Sequence, residues 1–204
     1  MTRDRQSTSS AMYVALGDSI SIDEYAGGAG RGGASLLARN RDDDFPEWRG
    51  NDLGGVPWQL LATDGGTSAT LLAYQLPRLE QLQVRPSIVT LTIGGNDVLS
   101  CYGDTRAALQ MIATVSRRLG QVLDRLSVIT QPSAAVVVGT VYDPSDGTGD
   151  ASKVGLPAWP EIVDVLAELN AALRAIARDH GAAIADIHGR FRRPWALKRK
   201  SGSR

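Results

Sequence analysis

Met12-Tyr-Val-Ala-Leu-Gly-Asp-Ser19 joins a short apolar run to a Gly-Asp-Ser turn. Apolar runs of this length are typical of parallel β-strands that are buried on both faces. Asp and Ser both favour turns, so we expect the strand to end at the Gly-Asp-Ser sequence. The same order of apolar run and polar turn recurs along the chain, and this recurrence indicates the fold class.

Four further apolar runs lie in residues 58–62, 88–93, 134–138 and 182–185. Helical periodicity in the intervening sequence predicts helices over 69–82, 105–126 and 160–180. Pro77 is expected to interrupt the first of these helices, and Gly181 to cap the last. Strands that alternate with helices predict an α/β fold, a three-layer sandwich around a five-stranded parallel sheet.

The chain has 204 residues, 43% hydrophobic and 22% charged, which is typical of one globular domain. We expect a disordered segment over residues 1–11, the domain over 12–191 and a basic tail over 192–204. No apolar run is long enough to span a membrane, and the polar N-terminus is unlike a signal peptide. The single cysteine, Cys101, excludes an internal disulfide. These features predict a cytoplasmic protein.

The net charge is zero but unevenly distributed. Residues 189–204 contain seven Lys and Arg residues and no acidic residue, so the tail carries +7 and the rest of the chain −7. A basic tail can contact nucleic acid or anionic lipid. We favour a solvated, disordered end and expect no nucleic-acid partner.

Three polar, glycine-rich turns follow the first three apolar runs: Gly17-Asp-Ser19, Asp64-Gly-Gly-Thr67 and Gly94-Gly-Asn-Asp97. The carboxyl ends of parallel strands lie at one edge of a sheet, where ligands bind in open α/β folds. Ser19 on a tight turn is a candidate nucleophile. The backbone N–H groups of Ser19 and Gly65 and the side-chain amide of Asn96 are candidate donors to an oxyanion.

This set of turns, in this order and about 75 residues apart at its ends, resembles the SGNH (GDSL-type) hydrolase family over about residues 12–190. The resemblance implies a flavodoxin-like sheet and an esterase- or lipase-type activity on a small-molecule ester. It also implies Ser19 as the nucleophile, Gly65 and Asn96 as oxyanion donors, and no metal or organic cofactor. Each turn by itself also has a purely structural interpretation, as a strand end fixed by local hydrogen bonds.

A serine nucleophile needs a base, usually histidine, and the chain has two. His180 lies at a predicted helix C-terminus, where interaction with the helix dipole is its expected role. His188 is predicted to end the fifth strand, with Asp186 on the same face to orient it. We therefore take His188 and Asp186 as the candidate base and its partner.

The resembled enzymes carry an Asp-x-x-His block after the last strand, and Asp186-Ile-His188 does not have that spacing. In a sheet with the strand order 2-1-3-4-5, strand five lies three steps of about 4.8 Å, or roughly 14 Å, from strand one. Three interpretations stay open. The chain is a truncated or frameshifted form of a longer enzyme, it uses His188 in an unusual geometry, or it binds ligand without turnover. The first of these would leave apolar sheet surface exposed.

Two other classes of site are weighed. Gly28-x-Gly30-x-x-Gly33 matches the dinucleotide fingerprint by letter, but about ten residues separate it from the first strand, whereas the fingerprint follows its strand directly. Asp42-Asp-Asp44 is an acidic run of the kind that binds metal, although a solvated face is the more common explanation. We expect neither a nucleotide nor a metal.

Overall fold

The computed structural model describes residues 11–191. Residues 1–10 of the predicted N-terminal segment 1–11, and all of the predicted basic tail over 192–204, lie outside the described part of the chain. Five parallel strands form one sheet in the order β2-β1-β3-β4-β5. The strands are β1 (Tyr13–Gly17), β2 (Trp58–Leu60), β3 (Ile88–Thr92), β4 (Ala135–Gly139) and β5 (Ala183–Ala185). The predicted five-stranded parallel sheet is confirmed.

The strand register places one row of residues across the carboxyl edge of the sheet. Gly17 of β1 is paired with Thr92 of β3, Thr92 with Gly139 of β4, and Gly139 with Ala185 of β5. The turns that follow β1, β3 and β4 therefore start at the same level, and this edge carries the candidate site.

Helices fill the connections between the strands. They are α1 (Gly33–Ala38), α2 (Ser68–Thr70), α3 (Leu76–Glu80), α4 (Gly95–Leu99), α5 (Thr105–Ile129), α6 (Ile162–Asp179) and α7 (Ile187–Phe191). The long helices α5 and α6 agree with the predicted periodicity, and Gly181 ends α6 with φ +69°. Helical periodicity over 105–126 would place Leu109 in the apolar stripe with Ile112 and Val115, but Ala108 faces the core in its place and Leu109 is exposed.

The predicted interruption at Pro77 takes the form of a wider helical turn. A π-helical turn over Leu71–Gln75 joins α2 to α3, and Pro77 lies in the first turn of α3. Proline lacks an N–H group and is tolerated where a helix begins. The helical path therefore continues past Pro77, and the π turn changes the direction in which Gln75 points.

The two faces of the sheet are covered unequally. On the first face, strand residues such as Leu16 and Leu91 pack with α5, α6 and the segment 68–80 in one large core. On the second face, Tyr13 and Ala15 pack with Ala34 and Ala38 of α1 in a smaller one. Within residues 11–191, no helix combines the length and apolar character needed to cross a bilayer.

Candidate active site

A cavity of about 210 Å³ opens at the carboxyl edge of the sheet. Ser19, Thr92, Asn96 and Thr140 line it. Ser19 follows β1, Thr92 ends β3 with Asn96 in the turn after it, and Thr140 follows β4. The structure thus places the predicted nucleophile and the predicted amide donor in the wall of one cavity.

Ser19 lies on the turn that follows β1 and is half-buried. Neither its backbone N–H nor its hydroxyl makes a hydrogen bond with any residue in 11–191. Gly17 makes the sharp turn possible, because it has φ +122° and a Cβ there would lie 2.0 Å from the carbonyl oxygen of Thr92. Both polar groups of Ser19 are therefore available to a substrate.

Gln75 fixes the start of this turn. Its Oε1 accepts from the Gly17 N–H (2.7 Å), and its Nε2 donates to the Gly17 carbonyl (2.8 Å) and to Thr63 Oγ1 (3.2 Å). Gln75 is buried and reaches Gly17 from a helical segment 58 residues away. Sequence reasoning missed this residue, because glutamine in an amphipathic helix gives no signal of a distant partner.

The second and third predicted oxyanion donors are connected through Gly66, the residue that follows Gly65. Gly65 has φ +63°, is exposed, and its N–H makes no hydrogen bond with the described residues. Asn96, in the first turn of α4, donates from Nδ2 to the carbonyl of Gly66 (2.9 Å). One amide proton of Asn96 is used in this contact and the other is left for a ligand. Gly65 itself does not line the cavity.

A buried network attaches α4 to the turn that carries Gly65. The Asp97 carboxylate accepts from the Ser68 N–H (2.9 Å) and the Ser68 hydroxyl (2.6 Å). Arg118 Nη1 donates to the same hydroxyl (3.1 Å) and lies 3.7 Å from Asp97 Oδ1. Asp97 is therefore a structural residue that holds Asn96 beside Gly66.

Asp18 is buried next to Ser19, and burial is the main reason that its pKa is raised to about 6. Hydrogen bonds from the Thr92 hydroxyl (2.8 Å) and the Ile20 N–H (3.2 Å) to Oδ1 act in the opposite direction and favour the charged form. These contacts give Asp18 the role of fixing the turn after β1.

The predicted position of His188 at the end of strand five is wrong. β5 ends at Ala185, and His188 lies in the helix α7. Asp186 does not hydrogen-bond His188. Its Oδ1 accepts from the Gly189 N–H (3.0 Å) and from Arg174 (2.6 Å). The i and i+2 relationship on a strand, on which the pairing was predicted, does not apply once the chain turns into a helix.

Asp186 instead caps the helix that carries His188. The Gly189 N–H and Arg174 contacts lower the pKa of the Asp186 carboxyl group. The His188 N–H donates to Thr140 Oγ1 (2.9 Å), and its ring Nδ1 is buried and has no partner among residues 11–191. Ile187, the preceding residue, lines the cavity with Ser19. His188 therefore lies next to the cavity wall and does not form part of it.

The other histidine is far from this edge of the sheet along α6. His180 caps α6, with Nδ1 2.8 Å from the Ile176 carbonyl oxygen and Nε2 3.3 Å from Asp124 Oδ1. α6 begins at Ile162, which lines the cavity, and runs away from it for 18 residues. This arrangement agrees with the structural role predicted for His180.

The glycine-rich loop and the acidic run have partners of their own. The Asp23 carboxylate accepts from the N–H groups of Gly30 and Gly32, both at 2.7 Å, so these amides are occupied. Asp44 pairs with Arg31 and Arg41. Among residues 11–191 there is no group of three or more His, Cys, Asp or Glu side chains that would hold a metal ion.

The long loops after β1 and β4 reach the site from both sides. Tyr25 donates to Asp64 Oδ2 (2.9 Å) beside Gly65, although Tyr25 itself is exposed. The loop after β4 supplies Pro144, Val154 and Leu156 to the cavity. Both loops thus lie at the carboxyl edge of the sheet, where ligands bind in open α/β folds.

Several solved structures are similar to this chain. Phospholipase A1 from Streptomyces albidoflavus NA297 is 25% identical, with 89% of this chain and 81% of that chain covered and a TM-score of 0.56. The extracellular lipase from Streptomyces rimosus is 27% identical, with 89% and 82% covered and a TM-score of 0.50. Axe2, an acetylxylan esterase from Geobacillus stearothermophilus, is 16% identical, with 90% and 79% covered and a TM-score of 0.60, and shows likeness of fold alone.

No protein with a curated description matches the chain significantly in sequence. The sequence profile of the GDSL-like lipase/acylhydrolase family matches residues 15–202, which is nearly the whole chain. Together with the parallel sheet and the Ser19 turn at its carboxyl edge, this match shows that the chain belongs to the GDSL-like lipase/acylhydrolase family.

Proposed function

We propose that this chain is a carboxylic ester hydrolase that forms an acyl-enzyme on Ser19. The observation that carries the proposal is the cavity in which Ser19 and Asn96 share one wall, with the N–H and hydroxyl of Ser19 free of other partners. Membership of a family of lipases and acylhydrolases supports the same reaction class.

In the proposed first step, Ser19 Oγ attacks the ester carbonyl carbon while its proton passes to a base. Negative charge develops on the carbonyl oxygen, where the N–H groups of Ser19 and Gly65 and the free amide proton of Asn96 stabilise it. The tetrahedral intermediate then expels the alcohol, which takes up the proton, and Ser19 keeps the acyl group. Water attacks the acyl-enzyme in a second step and releases the carboxylic acid.

His188 is the proposed base. Its ring Nδ1 has no partner among residues 11–191, and its backbone is fixed by Thr140, which lines the cavity. Asp186 is the proposed positioning residue, since it caps the helix turn from which His188 projects. No hydrogen bond joins Ser19 Oγ to His188 among the described residues. The support for the proposal therefore comes from the Ser19 turn and the oxyanion donors, and the role of His188 is tested by mutation.

The test is hydrolysis of p-nitrophenyl acetate and butyrate by the purified chain. Ser19→Ala is expected to reduce hydrolysis to the rate in buffer, and Asn96→Ala to lower kcat by roughly 10²–10³ because one oxyanion donor is lost. His188→Ala is expected to abolish turnover. His180→Ala is the control and is expected to keep turnover, because His180 lies at the end of α6 and contacts Asp124.

A fluorophosphonate probe separates an enzyme from a binding protein on the same fold. Labelling that requires Ser19 is expected for an activated serine. If the parent chain hydrolyses no more ester than Ser19→Ala and takes up no probe, the proposed esterase function is wrong and the site binds without turnover. If Ser19→Ala loses activity but His188→Ala keeps it in full, Ser19 is the nucleophile and another group is the base.

A further inference from the structure

Most of the side chains that line the cavity at the sheet edge are apolar. Its walls include Val98 and Leu99 of α4, Val141 after β4, Leu156, and Ile162 and Leu166 of α6. Among the lining residues, all of which lie within 11–191, Asp18 is the only one with a carboxylate and none is Lys or Arg. A charged ligand group would lose its hydration here without finding a cationic partner.

We propose that this cavity binds the acyl chain of the ester and selects a neutral aliphatic chain of about eight carbons. The inference rests on the proposed esterase function, because it assigns the cavity to one part of that enzyme's substrate. It distinguishes this chain from an enzyme that removes acetyl groups, for which an apolar cavity of this size has no use.

The volume sets the length of the chain. A dry protein cavity of about 150 Å³ accommodates one benzene molecule, with its six carbons. The cavity beside Ser19 has a volume of about 210 Å³, which by proportion accommodates about eight carbons. Longer chains would extend into solvent, so each further methylene would add little binding free energy.

The walls of the cavity are held by specific contacts. The buried side chain of Asn170 on α6 accepts from the Val141 N–H (2.7 Å) and donates to the Val141 carbonyl (2.8 Å). This pair of hydrogen bonds holds the backbone that follows β4 against α6. The cavity wall at Val141 is therefore preorganised, which lowers the entropic cost of binding a chain.

The segment over the cavity is anchored as well. The Tyr102 hydroxyl donates to the Pro157 carbonyl (2.6 Å), and the Tyr102 ring meets the Trp159 ring edge-on at 4.9 Å. Trp159 Nε1 donates to Thr105 Oγ1 at the start of α5 (3.2 Å). These contacts anchor the residues that directly follow Leu156, which lines the cavity.

The acyl part of the ester is the better occupant than the alcohol part. In the proposed reaction the acyl group stays attached to Ser19 through both steps, whereas the alcohol leaves after the first. Binding free energy from an apolar cavity beside Ser19 can therefore assist both steps only if the cavity holds the acyl chain.

A series of p-nitrophenyl esters tests chain length during turnover. Each methylene buried from water is expected to raise kcat/KM by up to about fourfold, from acetate to octanoate, with little further gain for longer chains. Alkyl acetates of increasing alcohol length are expected to show no such rise. A flat acyl series, or a rise confined to the alcohol series, overturns the assignment.

Binding to Ser19→Ala tests the cavity without turnover, so that failure of the two proposals can be told apart. Octanamide is expected to bind at least about tenfold more tightly than butanamide, as buried methylenes require. Equal affinities overturn the acyl-chain assignment even if esters are hydrolysed. Preferential binding of octanamide supports it even if the parent chain shows no esterase activity.

Leu156→Trp fills the cavity with a larger side chain. It is expected to lower the ratio of octanoate kcat/KM to acetate kcat/KM at least tenfold. Added to the Ser19→Ala chain, it is expected to lower the affinity for octanamide at least tenfold. Leu109→Trp, at an exposed leucine on α5, is the matched control and is expected to leave the ratio and the rates at the parent values. An unchanged ratio in a folded Leu156→Trp protein overturns the proposal, with folding checked by thermal unfolding.

Discussion

The carboxyl group of Asp18 is buried beside Ser19, where water cannot solvate its charge. Burial raises its pKa to about 6 from an ordinary value of 3.8, against the opposing effect of hydrogen bonds from Thr92 and Ile20. A raised carboxyl pKa means that ionisation disfavours the folded state. At the scale of single residues, Asp18 is thus a group whose position near the nucleophile has a cost in stability at neutral pH.

The sign and pH range of this cost follow from proton linkage. Below about pH 4 the group is protonated in both states and costs nothing; between about pH 4 and 6 the unfolded state ionises first, so the free energy of unfolding falls as pH rises. Above the folded pKa the loss is complete, at about 3 kcal/mol for a difference of about two pKa units.

Asp18→Asn is expected to remove this pH dependence, since asparagine keeps an acceptor for Thr92 and carries no charge. The free energy of unfolding of the variant, relative to the parent, should rise by about 3 kcal/mol from pH 4 to pH 7 in urea titrations. Asp43→Asn, at an exposed carboxylate, controls for the loss of one negative charge. A difference between parent and Asp18→Asn that is constant with pH would contradict the assignment.

At the scale of elements, the segment Ser68–Glu80 shows how a helix irregularity serves the site. The π turn over Leu71–Gln75 directs the Gln75 amide at both backbone groups of Gly17, the residue that starts the Ser19 turn. π turns within helices are frequent at functional sites. Gln75 therefore supplies an acceptor to the Gly17 N–H and a second donor to the Gly17 carbonyl, which also accepts from the Thr63 N–H (3.1 Å).

Gln75→Leu is expected to destabilise the protein by about 1–3 kcal/mol, because it removes the side-chain acceptor of the buried Gly17 N–H, whereas the Gly17 carbonyl keeps the Thr63 N–H as a donor. Urea unfolding measures this loss. Gln121→Leu, at an exposed glutamine on α5, should change the free energy of unfolding by less than about 0.5 kcal/mol. Equal effects of the two substitutions would show that the Gly17 contacts contribute no net stability.

The elements were more predictable from sequence than the contacts between them. All five strands lie in the apolar runs that predicted them, because burial on a parallel sheet demands such runs. The turn residues Ser19 and Asn96 were found because glycine-rich turns mark strand ends. Gln75, Asn170 and Tyr102 were not, since their partners lie 58, 29 and 55 residues away. The helix at His188 was missed because five residues are too few to show a period.

At the scale of the whole molecule, the described residues 11–191 form a smaller core on the second face of the sheet than on the first. Within residues 11–191 the only helix packed in the second-face core is α1, which lies over β1 and β2. A groove of about 150 Å³ remains between α1 and α7, with Val137, Ala185 and Ile187 among its lining residues, and Ala183 and Ala185 of β5 are exposed. Exposed apolar patches of this kind promote association.

The charge of the molecule adds to this tendency. The formal net charge of the chain is zero at pH 7, so no overall repulsion keeps two copies apart. We expect the chain to self-associate through the groove at increasing concentration, and Ala185→Glu, which places a charge on the exposed strand, to shift it toward the monomer. Sedimentation velocity over a range of concentrations measures both effects.

Ala171→Glu adds the same charge to an exposed position on α6 and is expected to leave association nearly unchanged. If the parent stays monomeric, or if the two variants behave alike, the second face is not the surface at which copies meet.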